Sequence, residues 1–348
     1  MGSPARPHPT TEVLVLGDLN IDLALDVPEF PAPGGEGVAT RQRIGFGGSA
    51  SNTAVVLQRL GLRTALLSCV GDDEWGALAI AGIGAIGVDT SLVRRCPDEG
   101  TSLNIVAVTP DGERTMLAYR GASARLTPES APADLGGARH LHVSGYALLA
   151  DPQRSAAVAA ARHARAAGVP VSLDVPVDAA GSAPATLLDF LSLVDVAVLG
   201  TDEARRLTGA VEDAAAARAV AEHGPGMVAL KRGADGALIL AEGRLVEIPA
   251  PPVTAVDSTG AGDSFCAGLI AGLLRGADAG QAGLLRGADA AQAGLLATAC
   301  GAAAVTVRGA GASLPGSREA AAVLAGLEPA VRQRLLALMP PVSLNRPA

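Results

Sequence analysis

Residues able to do chemistry are concentrated in one stretch, AVDSTGAGDSFCAGLIAGLL at 255–274. A turn of small residues, Thr259-Gly260-Ala261-Gly262-Asp263, leads into an apolar helical run. Such a turn points successive backbone N–H groups into one concavity, backed by the positive end of the helix dipole, which makes an anion site. Asp263 falls in the first helical turn. A carboxylate there can take a proton from an attacking hydroxyl while the amides hold charge developing on a phosphoryl group. The same residues also satisfy a plain helix cap after a tight turn, and the local pattern alone leaves the two readings open. A second group lies in VLVLGDLNIDLAL (13–25), where Asp18, Asn20 and Asp22 recur at period two and share one strand face. An ordinary solvated strand face is the alternative there. A third is GFGGSASNTAVVLQRLG (45–61), a Gly-rich turn before a helix. It fits a loose GxGxxA dinucleotide pattern, but the preceding TRQRI (40–44) makes a poor buried strand, so that reading is set aside.

The elements that must position these groups follow from periodicity. A helix is expected from about 49 to 60, stopped by Gly61, and another over 76–87. TALLSCVGDD (64–73) reads as a buried strand, and 101–119 as a hairpin around Pro110-Asp111-Gly112. Beyond about 125, strands at 140–145, 170–175, 194–200, 227–233 and 237–240 alternate with Ala-rich helices such as 152–167 and 201–222. That alternation means βαβ units and a mostly parallel sheet covered by helices on both faces. The polar-faced segments near 18–45 and 100–122 do not fit such a sheet and read as a small β-sheet lid inserted into one α/β domain, 11–348. Residues 1–10 read as a disordered leader. His140 and His142 alternate on one strand face and read as structural. GLLRGADAGQA (272–282) is repeated at once as GLLRGADAAQA (283–293). Each copy carries a stop, Arg275-Gly276 and Arg286-Gly287, and a cap signal. A short extra helix at about 279–286 is therefore favoured over one longer helix.

Composition excludes several classes. Of 348 residues, 49% are hydrophobic but only 2% aromatic, so a large core must be built from Ala, Val and Leu. The formal net charge is −8 with no basic block, which argues against a nucleic-acid partner. The first apolar run is interrupted by Asp18 and Asp22, so neither a signal peptide nor a membrane span is expected. Four widely spaced cysteines (Cys69, Cys96, Cys266, Cys300) without a CxxC pair suit free thiols in a reducing cytoplasm.

Two of these segments resemble the paired signatures of the ribokinase-like, or PfkB, carbohydrate kinases. DSTGAGDSF (257–265) is similar to the C-terminal signature and GFGGSASNTAVVLQRLG to the N-terminal one. VGDDEWG (70–76), TPDGERT (109–115) and EARRLTG (203–209) follow the family order. The resemblance covers about 12 to 315. It implies a ribokinase-like α/β fold with a lid, and ATP-dependent phosphorylation of a hydroxyl on a small sugar or sugar-like compound, with Mg²⁺. A nucleoside kinase of the same fold, or a catalytically silent sugar sensor, is the alternative. Carried over by position, Asp263 is the base, with Gly260, Ala261 and Gly262 as the anion hole. Asn20, Asp22, Gly47, Gly48 and Asn52 hold the acceptor. Lys231, Gly233, Gly236, Thr259 and Gly262 lie toward the nucleotide. Glu203 contacts Mg²⁺ through water, and Asp257 helps hold a monovalent cation such as K⁺. A homodimer joined through the lid is a further implication. One departure stands out: where the family's N-x-x-E element is expected, residues 200–203 read GTDE, with Gly200 in place of Asn.

Overall fold

The computed structural model describes residues 7–278, 287–326 and 328–340. Its strands are β1 (Val13–Leu16), β2 (Asn20–Asp26), β3 (Arg41–Gly47), β4 (Thr64–Gly71), β5 (Val93–Cys96), β6 (Leu103–Val108), β7 (Arg114–Tyr119), β8 (His140–Ser144), β9 (Val171–Val175), β10 (Val196–Gly200), β11 (Met227–Lys231), β12 (Ala237–Ala241) and β13 (Arg244–Ile248). Among the described residues, nine strands form one sheet in the order β13-β12-β11-β10-β9-β8-β1-β4-β5, and β3-β2-β6-β7 form a second.

Pairing from β11 through β5 is parallel, as the buried apolar runs and intervening helices require. The far edge departs from a purely parallel reading. β12 and β13 are antiparallel, because the five residues between Lys231 and Ala237 are too few for a crossover. The expected helix over 201–222 is two helices, Thr201–Thr208 and Asp213–Ala221, broken where Gly209 takes a left-handed cap.

Chain order reverses between β8 and β1. β1 continues through β4 and β5 on one side, and β8 through β11 on the other. In open α/β sheets, the crevice beyond the carboxyl ends of the strands at such a switch point is where ligands bind. Asp18 follows β1, Asp174 sits near the end of β9 and Lys231 ends β11, so all three face that crevice end. Core side chains are mostly Ala, Val and Leu, as the composition requires. His140 and His142 are fully buried in β8 and share the Ser172 hydroxyl, each at 2.8 Å. Burial pushes them down to about 3 and about 4, so both are neutral structural groups.

The small sheet is the expected lid, with the hairpin β6–β7 turning at 109–113. All four cysteines are free thiols. No helix among the described residues is long and apolar enough to cross a membrane. The stop expected at Arg275-Gly276 does not act, since the helix Ala261–Asp278 runs through it. A helix following at Gly287–Ala304 packs against this one, and the proposed short helix at 279–286 lies outside the described residues, as do residues 1–6 of the leader.

Candidate active site

Asp263 lies in the first turn of the helix Ala261–Asp278, and the helix Ser49–Arg59 faces it. Ser49 Oγ donates to Asp263 Oδ1 at 2.8 Å, and Asn52 Nδ2 donates to Oδ2 at 2.8 Å. Asn52 Oδ1 in turn accepts from the Gly311 N–H at 3.0 Å. Expected among the acceptor contacts, Asn52 is thus placed to fix the Asp263 carboxylate. Desolvation pushes Asp263 up to about 7, and the nearby charge of Asp174 adds to this, against the bonds from Asn52 and Ser49 and the charge of Lys231. A carboxylate poised near neutrality suits a general base.

The 258–262 turn precedes that helix, with Ala261 N–H bonded to Ser258 O and Gly260 at φ +73°. A Cβ on Gly260 would lie 2.5 Å from Leu314 Cδ2. A Cβ on Gly262 would lie 3.1 Å from Lys231 Nζ, so the ammonium stands directly beside the first helical turn. A cation at a helix N-terminus is unfavourable by itself. Here Asp174 Oδ1 holds it at 2.7 Å. Burial works against the charge on Lys231, but Asp174 and other negative neighbours outweigh it and hold the amine above its ordinary value. Amides, dipole and ammonium therefore converge on one small volume that suits an anion.

On the lid side, Asp22 Oδ1 accepts from Asn104 Nδ2 at 2.9 Å across the parallel β2–β6 pair. A Cβ on Gly47 would fall 2.0 Å from Asp22 Oδ2, so only glycine lets this carboxylate lie against β3. Burial pushes Asp22 up. Asn20 Nδ2 reaches Asp18 Oδ2 at 3.3 Å, and that oxygen also takes the Ser49 N–H at 3.0 Å. Asp18 thus closes the helix start that Gly48 introduces at φ +105°. Its buried Oδ1 has no hydrogen-bond partner among the described residues. Asp22→Ala is expected to raise the acceptor KM about tenfold, the weight of one or two hydrogen bonds with a stranded Asn104 partner, and to leave the ATP KM nearly unchanged. Initial-rate kinetics in both substrates check this; equal rises in both would place Asp22 in a shared or purely structural role.

Asp257 is enclosed by donors. Its Oδ1 accepts from Thr259 N (2.9 Å), Thr259 Oγ1 (2.6 Å) and Arg114 Nη1 (3.1 Å), and its Oδ2 from Gly309 N (3.0 Å). Arg114, at the start of lid strand β7, also bonds Thr259 Oγ1 and reaches Ser258 Oγ at 3.3 Å. Glu203 lies in the first turn after β10, where a Cβ on Gly200 would lie 2.1 Å from Glu203 Oε2. The glycine is what lets the Glu203 carboxylate fold back over the end of β10. Gly233 and Gly236 occupy the tight β11–β12 turn at φ +58° and +87°, and a Cβ on Gly236 would strike Ile248 O at 2.0 Å. They sit beside Lys231 but also have structural demands of their own. Among the described residues no three His, Cys, Asp or Glu side chains form a metal cluster. One or two carboxylates with phosphate oxygens and waters are the usual donors to Mg²⁺, and Glu203, in the first helical turn after β10, with Asp174, near the end of the adjacent β9, fits that pattern.

Sequence reasoning missed Asp174, Ser49, Asn104 and Arg114. Only Asp174 left a local signal, as the one carboxylate in the apolar strand PVSLDV.

The family profile of the pfkB family carbohydrate kinases matches residues 10–316. The chain is 33% identical over 317 residues to aminoimidazole riboside kinase of Salmonella typhimurium, covering 87% of this chain and 92% of that protein. It is 33% identical over 324 residues to a fructokinase of Escherichia coli, covering 89% and 98%. Its fold is similar to that of a double-mutant fructokinase from Vibrio cholerae O395 in its fructose, ADP and potassium ion bound form, with a TM-score of 0.75, 26% identity, and coverage of 90% and 98%. The chain belongs to the PfkB family of carbohydrate kinases, and the nine-stranded sheet with its lid is the ribokinase-like fold. Its activity is that of an ATP-dependent sugar or nucleoside kinase.

Proposed function

We propose that this kinase phosphorylates a hydroxyl of a small sugar, bound between the lid and the β1–β8 crevice, with Asp263 as the base. The observation that carries the reading is the Asp263 carboxylate, held by Ser49 and Asn52 at the mouth of the Gly260–Gly262 turn and shifted to about 7. Asp263 takes the proton of the acceptor hydroxyl as its oxygen bonds the γ-phosphorus, and the bond from that phosphorus to the ADP oxygen breaks. The Gly260–Gly262 amides and Lys231 hold the charge on the transferring group. Mg²⁺ bound with ATP would supply further neutralisation of the phosphates, with Glu203 and Asp174 as the side chains nearest in kind. Asp22, Asn104, Asn20 and the free Oδ1 of Asp18 offer a set of donors and acceptors suited to vicinal hydroxyls.

A sugar is favoured over a nucleoside by the fate of two rings. Phe46 is buried against the positions of Gly82 and Gly311, and the Tyr119 hydroxyl is tied to Glu99, at the rim of an acidic cavity lined by Asp72, Asp73 and Asp98. Phe46 is thereby closed to stacking on a base, and Tyr119, although 48% exposed, is anchored through its hydroxyl at that acidic rim. A thermal-shift screen of sugars and nucleosides with an ATP analogue, followed by coupled ADP release on the hits, tests the reading. Turnover of nucleosides but of no sugar would overturn the acceptor class.

The face of the lid opposite Asp22 and Asn104 carries an apolar row, Ile44, Leu23, Ile105 and Leu117, in register across all four strands. Ile44 and Leu117 are 45% and 63% exposed. This row supports the homodimer through the lid. Leu117→Lys is expected to convert a dimer to a monomer in light-scattering chromatography, and a wild-type monomer at all concentrations would refute the assembly.

A further inference from the structure

We infer that Gly200 is a positioning residue of this kinase: its missing side chain leaves the end of β10 open, so that Lys231 can cross it to Asp174 and stand at the anion turn. The inference rests on the kinase reading above. The backbone does not require this glycine. Gly200 is the N-cap of the helix Thr201–Thr208, at φ −77° and ψ 164°, a conformation open to any residue. Asparagine, which the family element N-x-x-E would place there, would gain a side-chain cap that glycine cannot make. The reason for the glycine therefore lies in the space above it.

That space belongs to the ion pair. Gly200 and Lys231 are register partners in the sheet, and Asp174 is the partner of Val198, two residues before Gly200. Residues that pair across strands, or stand two apart on one strand, share a face. A side chain at 200 would therefore project on the face of both Lys231 and Asp174. β10 lies between β9 and β11, and Lys231 Nζ meets Asp174 Oδ1 at 2.7 Å, so the pair closes over β10 across two strand spacings, about 10 Å. Val198 and Ala229, on the same face, pack with Phe265 and Cys266 of the helix Ala261–Asp278, so this is the side on which the anion turn lies. A Cβ at 200 would already fall 2.1 Å from Glu203 Oε2 and 2.9 Å from its Cδ, which leaves a carboxamide no room on the Glu203 side. It would turn into the path of the lysine instead. Glycine thus exchanges one group for another. A neutral side chain at the end of β10 is given up, and an ammonium anchored by Asp174 faces the phosphoryl group, where a charge-assisted bond is about twice as strong as a neutral one.

The test places Gly200→Asn in wild type, in Glu203→Ala and in the Lys231→Met/Asp174→Asn background. Calorimetry reads binding of the β,γ-imido analogue of ATP, and thermal melting reads folding. In wild type, Gly200→Asn is expected to weaken analogue binding about tenfold, the weight of one charge-assisted hydrogen bond. Gly200→Ala, which adds only the Cβ, should weaken it about threefold. The loss should persist in Glu203→Ala, where the clash with the carboxylate is gone. In the Lys231→Met/Asp174→Asn background the ion pair is absent, so Gly200→Asn should leave analogue binding unchanged or improve it, and should raise the Tm through the new helix cap. A merely structural glycine would not reverse its effect between these backgrounds. Neither readout needs turnover, so failure here is distinct from failure of the kinase reading, which coupled ADP release reports. Wild-type analogue binding by Gly200→Asn, a loss that vanishes in Glu203→Ala, or an equal loss with and without the ion pair would overturn the inference.

Discussion

Asp263→Asn is expected to lower kcat by about 10²–10⁴-fold, the usual contribution of a positioned general base, while acceptor affinity stays close to wild type. The substitution fits the local geometry. The introduced carboxamide can accept from Asn52 through its oxygen, and its NH₂ can donate to Ser49 Oγ, because a hydroxyl can reverse its role. Stability should move the opposite way. The ordinary carboxyl value is 3.8 and that of Asp263 is raised to about 7, so between these limits the folded protein holds a proton that the unfolded chain has released. The contribution of this group to stability is fully present below the lower value and is lost as pH rises through the upper one. At pH 8 wild type therefore carries a desolvated charge that the asparagine variant lacks. The variant should melt higher than wild type there and not at pH 4. In wild type, kcat/KM should climb with pH through about 7 as the base ionises. A kcat within tenfold of wild type would remove Asp263 from the chemistry.

The second large effect is expected at Lys231. Lys231→Met leaves the buried Asp174 carboxylate without the ammonium that holds it at 2.7 Å. Breaking a buried ion pair from one side costs about 3 kcal/mol or more, because the remaining charge stays desolvated. Two consequences separate this from simple destabilisation. Loss of the ammonium removes a charge that lowers Asp263, so the acid limb of the pH profile should move above about 7. Loss of the cation beside the Gly262 turn should also raise the ATP KM more than the acceptor KM. Adding Asp174→Asn should restore much of the Tm, since both halves of the pair are then uncharged, without restoring turnover. Chemical denaturation of the single and double variants, with initial-rate kinetics, checks each step. A Lys231→Met variant as stable and active as wild type would contradict the role given to the pair.

Local chemistry explains what could be read in the chain. The turn 258–263 and the strand face of Asp22 are short-range patterns, in which spacing alone fixes which groups share a concavity or a face. Helix and strand alternation gave the sheet and lid because buried parallel strands are apolar throughout, whereas β2 and β7 are not. The antiparallel setting of β12 was hidden, since a buried apolar strand reads alike in either direction, and β13 was missed because its mixed sequence RLVEI is exposed or half-buried except at Ile248. Arg114 was hidden for another reason: it meets Asp257 across 143 residues, and an exposed arginine in a lid strand looks like any solvated charge. Asn52 shows the limit of assigning roles by position. Its place in the Gly-rich segment points to the acceptor, whereas its side chain bridges Asp263 and Gly311. Loss of its amide is therefore felt first by the Asp263 carboxylate.

The central claim is phosphoryl transfer from ATP to an acceptor hydroxyl. It is tested most directly by ³¹P NMR of the protein with MgATP and each sugar that binds in the thermal-shift screen. A new phosphomonoester resonance should grow in step with ADP, at one position on the sugar, and should be nearly absent with Asp263→Asn. Release of inorganic phosphate without a phosphomonoester, or equal phosphomonoester formation by wild type and Asp263→Asn, would contradict it.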